Sequence, residues 1–384
     1  MNNTVKNKYF IFAIIAYVTS LLLSCNHYTN SSNINQSRDE EIRFDSHDEF
    51  KNRINDNKKL DIYKYYDVFD LSPIEIIIPK NQTNSQSLSV VVDDNCGHLI
   101  VFDGGRVEDA DYLCDIIKDN GGIVTTWFIT HIHDDHIGAL YKILSDKRTD
   151  ISINKIVYNF ADFEWYYSKM GNDAGIYYLF EDAIKNYNEH LSSISKDEIY
   201  IINHDNIDTH RFSYQALIKD NSPKLYCGNG PKPDPNQVWY NSMHLIDVTP
   251  LNDVYTLDQD PINNTSIVYQ VSLLDYKYNM LIFGDLGYEG GNKLFEYIDS
   301  ADNKYFAKKV YSSDIVVLAH HGQNGIDPEI YKKFKPTIVV WPTSKDVYEN
   351  ANEKYYTDDT KKALSEINSI KYQIKSYEET AVIR

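Results

Sequence analysis

The stretch THIHDDHIGAL at residues 130–140 gathers three histidines and two aspartates within six positions. Imidazole nitrogens and carboxylate oxygens at that density are donors of the kind that zinc, iron or manganese takes. A solvated loop or a helix cap also uses such residues, but neither accounts for their spacing. The apolar run IVTTWFI before them is β-branched and aromatic and predicts a strand ending near Thr130. His131 and His133, two apart in the extended chain just beyond it, point the same way. Asp135 and His136 follow where HIGALYKIL takes up helical apolar spacing. Two imidazoles therefore meet at one point, and a carboxylate with a third imidazole at a neighbouring one.

Four other places belong with this motif. IVFDGG sets Asp103 at a strand end before a Gly-Gly turn. A carboxylate there accepts from a ligand imidazole and fixes its tautomer; a plain turn aspartate is the alternative. MLIFGD sets Asp285 at another strand end, where one carboxylate could bridge two metals. DIVVLAHHGQNG brings His320 and His321 to a third strand end. NNTS at residues 263–266 precedes a strand, and Asn264 either helps to position the site or makes an Asx turn.

The elements that must hold these residues read as follows. IEIIIP, SLSVVV, HLIVFD, INKIVYNF and EIYII are strands in the first half, with helices over GGRVEDADYLCDIIKDNGG and DAGIYYLFEDAIKNYNEHLSSI. SMHLIDVTP, TSIVYQVSLL, MLIFGD, DIVVLAHHG, PTIVVWP, YQIKS and TAVIR are strands in the second half. Helices there cover GNKLFEYID, PEIYKKFK and DDTKKALSEIN. The proline-rich stretch 221–241 is a loop. Each half runs from a strand meander to strands with polar C-terminal ends and helices between. That order predicts an α/β fold, a four-layer αββα sandwich with a site where strand ends meet.

A net charge of −18, from 56 acidic against 38 basic residues, argues against general nucleic-acid binding, and no stable nucleic-acid partner is expected. Lys6 and Lys8 followed by FIFAIIAYVTSLLL read as an export signal over residues 1–25, too short for a comfortable membrane span. An uncleaved anchor helix is the alternative. LLSC resembles a bacterial lipobox, which implies lipid attachment at Cys25. The protein would then be anchored to a bacterial membrane, facing the periplasm or the cell surface. Residues 26–60 are polar and read as a flexible tether to a domain over 61–384. Cys96, Cys114 and Cys227 show no C-x-x-C spacing and read as ordinary small buried residues. EWYY at 164–167 suits a quaternary ammonium headgroup, or simply the apolar face of a helix.

H-x-H-x-D-H after a hydrophobic strand, FDGG before it, and FGD with a late histidine after it resemble the metallo-β-lactamase-fold hydrolases over residues 70–345. NNxS, GD and AHHG are similar to the hydrolase domain of DNA-uptake competence proteins and to teichoic-acid phosphorylcholine esterases. The resemblance implies two divalent ions, Zn2+ with Mn2+ or Fe2+ as alternatives. His131 and His133 would hold the first, Asp135 and His136 the second, and Asp285 would bridge them. His321 or His320 would complete the second site, the other reaching the first metal or the substrate. The separate third histidine that many members give the first metal finds no clear match; His204, His210 and His244 lie in that interval and read as ordinary residues. The implied reaction is hydrolysis by a metal-bridging hydroxide, with Asp135 steering it and the free member of the histidine pair as proton donor. A phosphodiester in a small molecule or a cell-envelope polymer is the leading substrate. The alternatives are a β-lactam, lactone or thioester, or a metal-stabilised surface binding protein without turnover.

Overall fold

The computed structural model describes residues 63–71, 74–93, 98–202, 244–247, 260–273, 277–300 and 304–384. Cys25, the signal and tether segments, Cys96, Cys227, His204 and His210 lie outside the described residues, as does the side chain of His244. Two compact units result. Phe163–Glu181 belongs to one; Lys64–Asp162 and Asp182–Arg384 form the other, which carries both sheets.

Strands β1 (Tyr63–Tyr66), β2 (Glu75–Ile78), β3 (Ser89–Asp93), β4 (His98–Asp103), β5 (Ile123–Phe128), β6 (Ser152–Ile153), β7 (Lys155–Val157), β8 (Tyr200–Ile202) and β15 (Thr380–Ile383) make the first sheet. Its order is β1-β15-β2-β3-β4-β5-β7-β8, with β6 also on β5. The second sheet holds β9 (His244–Asp247), β10 (Tyr269–Leu273), β11 (Tyr278–Ile282), β12 (Ile315–Val317), β13 (Ile338–Trp341) and β14 (Tyr372–Lys375), in the order β14-β13-β12-β11-β10-β9.

Strand side chains alternate between faces, and here both faces are apolar because both are covered. Ile100 and Phe102 of β4, Val271 of β10, Ile282 of β11, and Ile315 and Val317 of β12 share one core between the sheets. The outward residues Leu281, Val316 and Val339 join a second core. There they meet Leu294, Phe295 and Ile298 of α5 (Tyr288–Ile298), Val310 of α6 (Lys304–Tyr311), Ile330 and Tyr331 of α7 (Pro328–Tyr331), and Leu364 of α9 (Thr357–Ser365). On the other sheet, α1 (Ala110–Asp119) packs on β5 and α2 (Asp134–Ser145) on β4. Leu99, Val101, Val124 and Trp127 are buried on that side with Leu113, Ile117 and Leu140 of the helices. The result is the four-layer αββα sandwich.

β4, β5 and β7 run parallel, and so do β11, β12, β13 and β14. Parallel strands send their carboxyl ends to one edge, where open α/β sheets collect ligands. Asp103 ends β4, the histidine motif follows β5, Asp285 follows β11 and the histidine pair follows β12. The two sheets are tied at that edge. Phe102 and Phe128 stack with ring centroids 5.2 Å apart, and Tyr269 of the second sheet closes on both at 5.6 and 5.4 Å. The Tyr269 hydroxyl donates to the Ile129 carbonyl at 3.2 Å, and Ile267 N–H to the Thr130 carbonyl at 2.9 Å.

Several elements depart from the sequence reading. INKIVYNF is divided into β6 and β7 at Asn154. PEIYKKFK gives only one α turn: Lys332, Lys333 and Phe334 tighten to i→i−3 bonds before Pro336, which disfavours helix at the residue ahead of it. The strand of DIVVLAHHG stops at Val317, and both histidines lie in a kinked 3-10 turn over Ala319–Gly322. β1, α6 and α8 (Lys345–Glu349) were not legible as elements, whereas α3 (Phe163–Met170) bears out the helix reading of EWYY. EWYY lies on α3, where Phe163 and Tyr166 are buried, and DAGIYYLFEDAIKNYNEHLSSI forms α4 (Gly175–Ser193). Among the described residues no helix is long and apolar enough to cross a membrane.

Gly284, between β11 and Asp285, sits at φ +58°, and a Cβ there would come within 2.7 Å of Thr130 Cβ. Only glycine lets the loop bearing Asp285 approach the loop bearing the histidines this closely. Gly284→Ala is expected to cost at least about 1–3 kcal/mol in urea unfolding; wild-type stability would show that this approach is not tight.

Candidate metal centre

The site is organised from beneath by Asp103, which is fully buried at φ +53°. Its Oδ1 accepts from Thr130 N–H at 2.7 Å, and its Oδ2 from the Thr130 hydroxyl and from His136 Nδ1–H, both at 2.8 Å. Since the single Thr130 proton goes to Asp103, His131 Nδ1–H donates to Thr130 Oγ1 at 3.1 Å. Both imidazoles are thereby fixed in the tautomer that leaves Nε2 bare. His321 is fixed in the same way, its Nδ1–H donating to the Pro342 carbonyl at 2.6 Å. These are the outer contacts that orient histidine ligands.

Two donor sets result. Asp135, His136, Asp285 and His321 offer ligand atoms that all lie within 4.8 Å of one another, and so do His131, His133 and Asp285. Asp285 belongs to both. Its carboxylate lies 3.0 Å from His136 Nε2, 3.3 Å from His321 Nε2 and 3.9 Å from His131 Nε2. His321 Nε2 is 3.1 Å from Asp135 Oδ2, and His131 Nε2 is 3.0 Å from His133 Nδ1. Tetrahedral coordination with bonds of about 2.0–2.1 Å sets neighbouring ligands about 3.3 Å apart, close to these separations. Among the described residues, His136 Nε2, His321 Nε2 and Asp285 Oδ1 are buried without a hydrogen bond. Buried polar atoms of this kind demand a partner, and a cation supplies one. The residues present fit divalent metal.

The backbone separates the roles of the histidine pair. His320 and His321 both have positive φ, 46° and 58°. His321 turns inward and is fully buried, whereas the His320 side chain stays 14% exposed at the rim. His320 Nε2 lies 3.9 Å from Asp285 Oδ2 and 3.3 Å from Asn263 Nδ2, and its Nδ1 lies 3.5 Å from Asp260 Oδ2. Asn264 holds the loop after Asp285, its Oδ1 accepting from Gly287 and Gly290 N–H at 3.1 Å each. Ser266 Oγ accepts from Asp285 N–H at 3.0 Å. Thr130, Asn263, Asp260 and Arg106 were not singled out from sequence. Only Thr130 and Asn263, adjacent to motif residues, left a signal to find. Cys114 is buried, which pushes its thiol up to about 12.

Electrostatics follows the same geometry. Burial and the neighbouring imidazoles keep His131 well below the ordinary histidine range, and burial lowers His133, so both are neutral donors. Burial opposes charge on His136 and His321 too. The Asp285 carboxylate, with Asp103 beside His136 and Asp135 beside His321, outweighs it. His136 is held well above 6.5, and His321 is raised to about 9. Burial likewise opposes ionisation of Asp135 and Asp285, but the facing imidazoles hold both carboxylates below the usual range.

Residues 83–241 match the model of the metallo-beta-lactamase superfamily. Over that range the chain is similar to the metallo-beta-lactamase superfamily. The matched range includes the H-x-H-x-D-H motif, and Asp285 and His321 follow it in the same fold. Among solved structures, the chain is similar to the metallo-beta-lactamase fold protein YhfI from Bacillus subtilis, at 10% identity over 79% of this chain and 96% of that one, with a TM-score of 0.37. It is also similar to a diphosphatase of the PhnP family, at 12% identity over 70% and 85% of the two chains, TM-score 0.35. A third likeness is the short form of human tRNase Z, at 14% identity over 69% and 90%, TM-score 0.33. Comparison with curated proteins found no match.

Two outcomes are expected. Asp103→Asn should weaken divalent-metal binding by about 10–100-fold while the protein stays folded, as read by competition with a chromophoric chelator; unchanged affinity would remove Asp103 from the site. In metal-free protein, the folded-state pKa of His321 lies above its ordinary 6.5. Its contribution to stability is therefore complete below pH 6.5 and is lost as the pH rises through about 9. Thermal unfolding of chelator-treated protein should fall across that window and His321→Gln should flatten the fall; a flat wild-type profile would contradict the ion pairing.

Proposed function

We propose that this protein is a metal-dependent hydrolase that uses two divalent cations, Zn2+ in the first instance, to cleave phosphodiesters. The observation that carries this reading is the sharing of one buried carboxylate, Asp285, by two donor sets at the joined strand ends. His131 and His133 with Asp285 would hold one cation, and Asp135, His136 and His321 with Asp285 the other. Held there, the pair supplies water acidified towards neutral pH and positive charge for the oxygen that becomes anionic.

The remaining steps belong to side chains. Asp135 and Asp285 fix where the cations stand, and their own positions are set by Ser266, Asn264 and the helix start at Asp134. Two divalent cations held there would place positive charge where a phosphodiester's anionic oxygens approach, so the site favours an anionic substrate. His320, at the rim and steadied by Asp260 and Asn263, is the group placed to give a proton to the leaving oxygen. With an export signal over 1–25 and a lipid at Cys25, the substrate is one met outside the cytoplasm, a small molecule or an envelope polymer.

The full chain should hydrolyse bis-p-nitrophenyl phosphate, lose that activity to a chelator and regain it with Zn2+ or Mn2+. Asp285→Asn should lower kcat/KM by at least about a hundredfold. Turnover of a β-lactam, lactone or thioester in place of the phosphodiester would move the chemistry to carbonyl carbon. Bound metal with no turnover of any of these would indicate a binding protein.

A further inference from the structure

Arg106 enters the site from outside the sequence motif. It follows the Gly-Gly turn after β4, and its guanidinium spans two neighbouring acids at the start of α2. Nη1 donates to Asp134 Oδ2 at 2.7 Å and Nη2 to Asp135 Oδ2 at 3.3 Å, while Nε donates to the Gln86 carbonyl at 3.0 Å. All three arms of the planar fork are used, which a lysine ammonium at one point cannot do. The fork itself is held. Arg106 N–H donates to Asp109 Oδ2 at 2.8 Å, and the turn is stitched to α2 by a bond from Ala139 N–H to the Gly105 carbonyl at 3.1 Å. Gly138 makes the approach possible, since a Cβ there would lie 2.7 Å from Val107 N and 2.8 Å from the Arg106 carbonyl carbon.

Asp135 is thus gripped from two directions. The same Oδ2 lies 3.3 Å from Arg106 Nη2 and 3.1 Å from His321 Nε2. The Asp135 side chain is 9% exposed and that of Arg106 22%, so this contact is much less screened than a surface pair. Asp285, by contrast, is held by Ser266 and has no arginine among its ion-pair partners among the described residues. The Arg106 fork therefore acts on one donor set and not on the other.

We propose that Arg106 is a positioning residue for the second metal site. It locks the Asp135 carboxylate in the orientation that meets His136, His321 and Asp285, and so sets the affinity of that site without touching the His131–His133 site. The inference rests on the two-metal reading above.

The test isolates each site by removing one ligand of the other. His133→Ala leaves the second site, and His321→Ala leaves the first. Zn2+ affinity is then measured on the full chain by competition with a chromophoric chelator, with and without Arg106→Gln. Arg106→Gln should weaken binding by about 10–100-fold in the H133A background and leave it unchanged in the H321A background. Arg106→Lys should restore little of the loss, because it keeps the charge but not the fork. Asp134→Asn changes a side chain that is 62% exposed, so it tests the same fork without a buried substitution; it should weaken the second site several-fold. Equal losses in both backgrounds would reduce Arg106 to a stabilising residue, and unchanged affinity in R106Q or D134N would overturn the inference. Two ions bound by wild type together with an unaffected R106Q would sink this proposal alone. A wild type that binds no ion would sink the two-metal reading, and this one with it.

Discussion

One buried carboxylate, Asp285, has four imidazoles within 4 Å: His136 at 3.0, His321 at 3.3, and His131 and His320 at 3.9 Å. Two of these, His131 in the loop after β5 and His136 in the first turn of α2, come from one sheet's side, and the other two and Asp285 from the second. The contact can form only if the two sheets meet at that edge in one register. The Phe102–Phe128–Tyr269 cluster directly beneath fixes that register through apolar packing, each aromatic pair adding about 0.5–1.5 kcal/mol beyond its buried area. Gly284 removes the last steric obstacle between the two loops.

Charge explains why so many polar groups tolerate burial here. A lone ionised carboxylate at this depth would be prohibitive, and so would a lone imidazolium. Asp103, Asp135 and Asp285 face His136 and His321 in a closed set, and each histidine also has its Nδ1 proton taken up by a fixed acceptor. The bare Nε2 atoms of His136 and His321 have no hydrogen-bond partner among the described residues. Protons on His136 and His321 offset the carboxylates when metal is removed; divalent cations would take over that role while binding at the same atoms.

Much of this was written in local spacing. H-x-H-x-D-H shows itself because a two-residue repeat in extended chain and the first turn of a helix each bring ligands together without help from elsewhere. Strands such as HLIVFD and PTIVVWP were legible because burial on both faces leaves continuous apolar runs. What escaped depends on distance or on backbone hand. Nothing in AHHG says that left-handed φ at both histidines turns His321 inward and leaves His320 at the rim. Arg106 and Asp260 are ordinary surface-type residues until the fold carries them to Asp135 and His320. Helix α6 has only eight residues and α8 five, too few for a periodic signature.

The most direct test of the central claim is anomalous diffraction from crystals of the full chain grown with Zn2+. Two peaks about 3.5–4 Å apart, one on each side of Asp285, are the predicted result. A single peak, or peaks that leave Asp285 outside the coordination of either ion, would contradict the shared-carboxylate site on which this account stands.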